Sequence, residues 1–573
     1  MRLKNLSHII TAAFFVLICG LFWTQIINGR HYYRLSQNNR IRLVCEEAAR
    51  GKILDYKGRV LADSVLSYDL VVRPQEIKNK TQRRKVFEKL SPVIGMSVEK
   101  QEAVYKKNYI APFADVAIVK DIAKALAFEV DEMSLGLPEV AIKTNPKRRY
   151  IYKEATAPIL GYLGEISKEQ LEDLREYGYR PQDIVGKGGL EKGLDRILRG
   201  EDGGMQIEIN NRGYQITVLS RKDPAPGTDV RLTIDADIQE CAYSLLTDKK
   251  GAIIVLDPND GRIMAMASSP TFDPDIFISK GQGEAVRLLL SDEDAPFLNR
   301  ATTGQYPPGS IFKIITTAAG LESKRISTDT AFYCPGFYQL GNKRFNCWQA
   351  EGHGQLDLKG AIIHSCNVYF FKAAEKIGQE PLSHYAYMFG LSRQTGLGIL
   401  AEAKGFVPDK NWKRQIVGEN WYEGDTVNFS IGQGYVLITP LQAAVMISAI
   451  ANSGKLVQPY IVGSVGAARV AKPRDRPMDI SPRTIDEIRN DLYAAVEAGT
   501  GILARVEGLG VSGKTGTAQV VGNSSHAWFV GYAPSENPRV AVAVFVEGGG
   551  YGGEVAAPIA GAIFKKMKQL GLL

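Results

Sequence analysis

The longest uninterrupted apolar run lies near the N-terminus, where Ile9 to Ile27 gives 19 residues without a charge. As a helix rising about 1.5 Å per residue it reaches about 28 Å, enough to cross the hydrocarbon core of a bilayer. Arg2 and Lys4 precede the run, Trp23 sits near its far end, and no convincing small-x-small cleavage site follows. That pattern predicts an uncleaved signal anchor rather than a removed signal peptide. Arg30, Arg34, Arg40 and Arg42 on the far side blur the charge asymmetry, so orientation has to come from what the remaining chain does.

Beyond the anchor the pattern changes twice. Residues 45 to about 215 alternate short apolar runs such as "YDLVV" with helical stretches such as "KEQLEDLREYG", which predicts a mixed, strand-rich region. Within it, "RGKILDYKGRVLADS" (50 to 64) reads as two short strands about a turn at Lys57-Gly58. "GKGGLEKGLDRILRGEDGG" (186 to 204) reads as a Gly-rich turn feeding a helix that Gly200 ends. The glycine spacing there matches neither a P-loop nor a dinucleotide fingerprint, so it is read as turn punctuation.

"SRKDPAPGTDV" (220 to 230) marks the main boundary. After it, "GAIIVLDPNDGRIMAMAS" (251 to 268) predicts a hairpin, helical periodicity dominates the middle, and strands return at "HAWFVGYAP" (526 to 534) and "RVAVAVFVEGG" (539 to 549). An apolar helical segment (556 to 573) closes the chain. The expected class is α+β, with helices packed on an antiparallel sheet. The expected divisions are residues 1–30 as tail and anchor, 31–220 as the mixed domain and 225–573 as the α+β domain.

Composition narrows this outline only a little. At 573 residues the chain exceeds one hydrophobic core. Its 70 basic and 62 acidic residues give +8 without long Lys/Arg blocks, which argues against nucleic-acid binding.

Three clusters carry chemistry. In "YPPGSIFKIITTAAG" (306 to 320) the Pro-Pro-Gly keeps the chain out of helix, Ser310 is expected to open one, and Lys313 falls on the same face. A serine at a helix start beside a desolvated lysine makes a nucleophile and its base, although Ser-x-x-Lys alone also describes an N-cap beside an exposed lysine. In Ser365-Cys366-Asn367, an extended or turn conformation sends Ser365 and Asn367 into one cleft and Cys366 behind it. In "GVSGKTGTAQVV" (510 to 521) a strand carries Lys514-Thr515-Gly516-Thr517. The pleat sets the Lys514 cation beside side-chain-less Gly516, where a substrate backbone is expected to lie, and Thr515 or Thr517 can offer a carboxylate its hydroxyl.

In the order Ser-x-x-Lys, Ser-x-Asn, Lys-Thr-Gly, these fragments resemble the three-part signature of penicillin-binding proteins and serine β-lactamases. The resemblance covers nearly the whole chain. "RGKILDYKG" and "GKGGLEKGLDRILRG" look like the pedestal motifs of class B penicillin-binding proteins, and "PGTDVRLTIDADIQ", "NRATTGQYPPGSIFK", "GDTVNFSIGQGYVLITPLQ" and "HAWFVGYAP" look like transpeptidase signatures. "GFVPDKNWK" (405 to 413) and the long segment between the first two motifs look most like the elongation-type enzyme, penicillin-binding protein 2. Tyr56 stands where the family usually has arginine, and Asp275 where asparagine is common.

The resemblance implies a pedestal of the dimerisation type for residues 31–220 and acyl transfer on peptidoglycan stem peptides ending in D-Ala-D-Ala. It makes Ser310 the nucleophile and Lys313 the general base, with Ser365 relaying a proton and Asn367 orienting Lys313 and the donor amide. Lys514, Thr515 and Thr517 would hold the terminal carboxylate, and the N–H groups of Ser310 and Thr517 would form the oxyanion hole. It further implies inhibition by β-lactams, a catalytic domain exported to the periplasm, and partners that include a SEDS-type glycosyltransferase and other elongation-complex proteins. No organic cofactor is expected. The rival readings are a D,D-carboxypeptidase or β-lactamase, and an inactive scaffold or penicillin sensor.

The chain has six cysteines. Cys19 lies in the anchor, and Cys45 and Cys241 are isolated and expected to be buried. Cys334, Cys347, His353 and Cys366 share one short span with the spacing C-x12-C-x5-H-x12-C, and their side chains make the Cys3His set of a structural zinc site. One disulfide with a free thiol, or three reduced buried thiols, are the alternatives. Metal sites in the corresponding segment of some elongation-type relatives, with carboxylates among their ligands, favour zinc. The metal would brace the loop bearing Ser365 and Asn367.

Overall fold

The computed structural model describes residues 2–279, 281–520 and 524–573. Met1 and Val521, the ends of two stretches named above, fall outside that range. The chain divides into two compact units built from interleaved segments.

The first unit gathers residues up to Gly51 with Ser64–Arg148 and Arg199–Gly227. Its N-terminal helix, Arg2–Phe22, continues as a π-helical turn, Trp23–Ile27. The stretch Leu6–Ile27 has 22 residues, a mean hydropathy of 2.1 and no buried part, as a span built to face lipid requires. Strand Ile41–Glu46 pairs antiparallel with Gly203–Ile209, which pairs in turn with Gln215–Lys222. A separate core collects Leu70, Val72, Phe87, Leu90, Val116 and Val130 between strands and the helices Lys80–Ile94, Val98–Asn108 and Lys124–Ser134. These helices start where the sequence supplies a cap: Asn79 accepts from the Gln82 N–H, and Ser97 from the Lys100 N–H.

The second unit combines Lys52–Asp63, Arg149–Leu198 and Thr228–Leu573. Its centre is a five-stranded antiparallel sheet of β1 (Gly251–Leu256), β2 (Ile263–Ser269), β3 (Ser512–Gln519), β4 (Ser525–Ala533) and β5 (Val540–Val546), in the order β2-β1-β5-β4-β3. The β1–β2 hairpin forms where expected, with the Asp257 carboxylate accepting from the Asn259 N–H and Gly261 at φ +78° in the turn. Strands 251–256 and 540–546 are buried along their whole length because both faces are covered. Ile253, Val255, Val542 and Val544 face the C-terminal helix Ala556–Gln569, while Ile254, Leu256, Ala541 and Phe545 face the larger helical core.

That core contains α1 (Lys313–Glu322), α2 (Leu358–Ile363), α3 (Asn367–Ile377), α4 (Pro440–Ala451) and α5 (Pro482–Glu497). Helix α4 is buried at every residue and begins with a capping box, Thr439 with Gln442, ahead of Pro440.

The 186–204 stretch differs from its expected single helix. It forms two short helices, Gly189–Gly193 and Asp195–Leu198, and Gly200 follows the second at φ +77°, the left-handed glycine expected at its end. Its glycines serve close backbone crossings: a Cβ on Gly186 would lie 2.1 Å from the Glu191 carbonyl oxygen. Cys45 and Cys241 are half-buried rather than buried.

Candidate functional site

Pro307-Pro308-Gly309 delivers the chain into a single 3-10 turn, Gly309–Phe312, and α-helix begins only at Lys313. Ser310 therefore precedes the α-helix instead of opening it. A 3-10 turn eclipses residues three apart, so Ser310 and Lys313 share a side as expected, by tighter geometry than an α-turn. Ser310 is half-buried.

The turn is clamped from two sides. The Gly309 N–H donates to the Gly432 carbonyl at 2.9 Å, and a Cβ on Gly432, itself at φ +70°, would lie 2.3 Å from the Gly309 carbonyl oxygen. On the other side runs β3. A Cβ on Gly516 would meet Ile311, the Pro308 carbonyl oxygen and Trp528, each at 3.0 Å, and Trp528 Nε1 donates to the Pro307 carbonyl at 3.0 Å. This corrects the expectation for Gly516: the space before it is filled by the serine-bearing turn, and the glycine lets strand and turn approach.

Lys313 is completely buried. Its Nζ donates to the Ser365 carbonyl at 2.7 Å, to Ser365 Oγ at 3.2 Å and to Asn367 Oδ1 at 2.8 Å, and it lies 5.4 Å from the centre of the Phe370 ring. Burial lowers its pKa to about 8, against the opposing influence of Cys366 and Cys347. An amine near that value is neutral often enough to accept a proton.

The backbone that brings Ser365 and Asn367 together is not extended. Ser365 is left-handed at φ +52°, Cys366 is the N-cap of α3, and Asn367 is that helix's first residue. The side chains diverge as expected, Ser365 and Asn367 toward Lys313 and Cys366 into the core with no exposed surface.

Lys514 on edge strand β3 is also completely buried; its Nζ donates to the Thr515 carbonyl at 3.2 Å. Burial holds its pKa well below the usual lysine value, and the charge of Lys313 lowers it further. Among the described residues neither lysine forms an ion pair with a carboxylate. Thr515 shares a 2.7 Å hydrogen bond with Thr500, and Thr517 Oγ1 accepts from the Gly552 N–H at 3.2 Å. Sequence reasoning missed Thr500, Gly552, Trp528 and the clamping role of Gly432. Gly432 and Trp528 fall within the quoted stretches "SIGQG" and "HAWFVGYAP", but nothing local shows which backbone either one approaches.

Behind this site the four thiol and imidazole groups converge. Cys334 ends a short strand paired with Gly354–Leu356, and Cys347 follows the hairpin Phe337–Leu340/Lys343–Asn346. The Cys347 N–H donates to the Gly336 carbonyl, and the His353 N–H to that of Cys334. One ligand atom from each of Cys334, Cys347, His353 and Cys366 lies within 4.8 Å of the others. His353 Nδ1 stands 3.6 Å from Cys334 Sγ and 3.5 Å from Cys347 Sγ. A zinc tetrahedron with Zn–S about 2.3 Å and Zn–N about 2.0–2.1 Å has an S···N edge of about 3.6 Å, so donor type, donor number and these two distances fit that ion. The closeness of Cys366 and Cys347 holds the Cys347 thiol below its ordinary range and pushes Cys366 up. The Asn367 N–H donates to Cys347 Sγ at 3.4 Å, tying the cluster to the Lys313 partner.

Known proteins resemble this chain in sequence and fold. Residues 251–565 match the penicillin binding protein transpeptidase domain, and residues 45–232 the penicillin-binding protein dimerisation domain. The chain is 32% identical to the peptidoglycan D,D-transpeptidase MrdA of Haemophilus influenzae, over 95% of this chain and 88% of that protein. It is 30% identical to the stage V sporulation protein D of Bacillus subtilis, over 98% and 84%. Among solved structures it resembles the penicillin-binding protein PBP2 of Helicobacter pylori in complex with MreC, with a TM-score of 0.82, 28% identity and coverage of 93% of this chain and 99% of that one. With those matches laid over a serine turn, a buried lysine and an edge-strand lysine, the chain belongs to the penicillin-binding protein transpeptidase family, in its class B, elongation-type PBP2 branch.

Proposed function

We propose that this protein is a peptidoglycan D,D-transpeptidase that cross-links stem peptides through a Ser310 acyl-enzyme during cell elongation. The observation that carries this reading is the desolvated Lys313 Nζ, held by Ser365 and Asn367 one 3-10 turn from Ser310. In the neutral state Lys313 takes the Ser310 proton as Oγ attacks the penultimate D-Ala carbonyl. The oxyanion is met by the Ser310 and Thr517 N–H groups, the latter on β3, which among the described residues is the edge strand of its sheet. Ser365 relays the proton to the departing D-Ala. Lys514, with Thr515 and Thr517, receives the terminal carboxylate, which supplies the anion that two neighbouring buried lysines lack. An amine from a second stem peptide then releases the acyl group and restores Ser310.

Cys334, Cys347, His353 and Cys366 would hold a zinc ion. With four protein ligands and no open position its contribution is structural, and the residues themselves perform the chemistry. The apolar helix would anchor the chain in the cytoplasmic membrane, residues 31–220 would form the pedestal, and residues 225–573 the transpeptidase domain, exported to the periplasm where uncross-linked stem peptides lie. The partners would be elongation-complex proteins and a SEDS-type glycosyltransferase; the Helicobacter pylori relative was solved with MreC.

The test is covalent labelling by a fluorescent penicillin, followed by transpeptidation of a lipid-linked substrate. Wild type should label slowly and stoichiometrically and form cross-links, and Ser310→Ala should do neither. Labelling that persists in Ser310→Ala, or fast catalytic turnover of nitrocefin, would overturn the assignment.

A further inference from the structure

A second concentration of unmatched positive charge lies away from the serine. A cavity of about 250 Å³ is lined by Arg393, Arg474 and Arg476 together with Gln394, Thr395 and Gln458. No carboxylate lines it. The neighbouring acid Glu402 is already engaged by the Thr395 N–H and hydroxyl, at 2.8 and 2.6 Å. Arg393 donates to the Tyr387 carbonyl at 2.6 Å, and among the described residues none of the three guanidiniums forms an ion pair. Arg393 is half-buried, and burial followed by the charge of Arg476 lowers its pKa, the mark of cations held together without an anion between them.

Surface arginines are free to turn apart into water. Arg393 is held by its bond to the Tyr387 carbonyl, pairing of Arg476–Pro477 with Lys455–Leu456 sets the backbone that carries the exposed Arg476, and Gln458 Nε2 bonds the Gly396 carbonyl. Guanidinium forks match the planar, two-oxygen edge of a carboxylate or phosphate.

We infer that this cavity is a binding site for a multiply charged oxyanion, distinct from the reactive serine. In the proposed reaction the source is the carboxylates of an uncross-linked stem peptide, held as an anchor while another part of the strand reacts. That source rests on the transpeptidase reading; the oxyanion site does not.

The experiment titrates the full-length, detergent-solubilised protein by calorimetry with citrate, with inorganic pyrophosphate and with an uncross-linked muropeptide. Wild type should bind citrate and the muropeptide, and Arg393→Gln/Arg474→Gln/Arg476→Gln should weaken both by at least about tenfold. The double variant Arg474→Gln/Arg476→Gln changes only exposed side chains and guards against misfolding of the triple variant. Each variant should still be acylated by fluorescent penicillin, which shows that the Ser310 site is intact. Binding of pyrophosphate without the muropeptide would keep the oxyanion site and overturn the stem-peptide source. Absence of binding in wild type, or undiminished binding in both variants, would overturn the site. Failure of wild type to react with penicillin would sink the transpeptidase reading and leave the site standing.

Discussion

Lys313 concentrates the chemistry at the residue scale. Its ammonium form carries a charge through a fully buried position, and three oxygen acceptors without a carboxylate compensate it only in part. Its pKa is therefore lowered to about 8, and the neutral fraction grows as pH rises through that value. Acylation of Ser310 should accordingly climb about tenfold per pH unit on the acid side and level off above the lysine's pKa. Stopped-flow labelling with a fluorescent penicillin between pH 5 and 9.5 checks this, and a flat profile would contradict a lysine base. Lys313→Arg keeps a charge that does not dissociate, so its labelling should fall by about 10²–10⁴-fold at every pH. The motifs that bear Ser310, Lys313, Ser365, Asn367 and Lys514 were legible in their order along the chain, and their proposed roles come from the family resemblance. The burial that tunes Lys313 was not legible, because its causes are side chains distant in sequence.

At the scale of elements, the site is an assembly of close backbone approaches. The 3-10 turn of Ser310 sits between Gly432 and β3, and neither neighbour can be inferred from the motif that contains the serine. This is why Gly516 reads in the sequence as an opening and in the structure as a packing contact. Gly432→Ala meets both a left-handed φ and a carbonyl oxygen at 2.3 Å, so it should lower stability by about 1–3 kcal/mol. Gly516→Ala meets three neighbours at 3.0 Å and should slow penicillin labelling more than it lowers the melting temperature. Thermal melts compared with labelling rates separate the two effects.

The same logic applies to the turn at Ser365. Its left-handed backbone is held by the N-cap Cys366 and by the Asn367 N–H on Cys347 Sγ, so the thiol and imidazole cluster supports the residues that hold Lys313. Protein expressed with ample zinc should contain one equivalent by elemental analysis, and a strong chelator should lower both its melting temperature and its acylation rate. Less than stoichiometric zinc together with chelator-insensitive melting would rule the ion out. The sequence grouped these four residues while leaving a disulfide or reduced thiols as alternatives, whereas the route from the cluster to Lys313 required the fold.

At the scale of the whole molecule, chain order and spatial order part company. The hairpin at residues 53–62 and the segment 149–198 precede the transpeptidase sequence but fold with it, while 199–227 returns to the first unit. Periodicity identified strands and helices in both regions, yet a contiguous division along the chain has no means of expressing such interleaving. The apolar helix is the opposite case, legible from one run of residues and fully exposed over Leu6–Ile27. At 22 residues its length is about 33 Å, enough to span a bilayer core with slight tilt. Local charge leaves its direction open, since basic residues flank both ends. The proposed substrate settles the expectation, because a catalytic unit that acts on exported stem peptides has to follow its anchor to the outer side. Protease added to intact spheroplasts should therefore digest the catalytic unit and leave a short membrane-protected fragment containing residues 2–27. A C-terminal tag that stays protected until the membrane is lysed would place Ser310 on the cytoplasmic side, away from its proposed substrate.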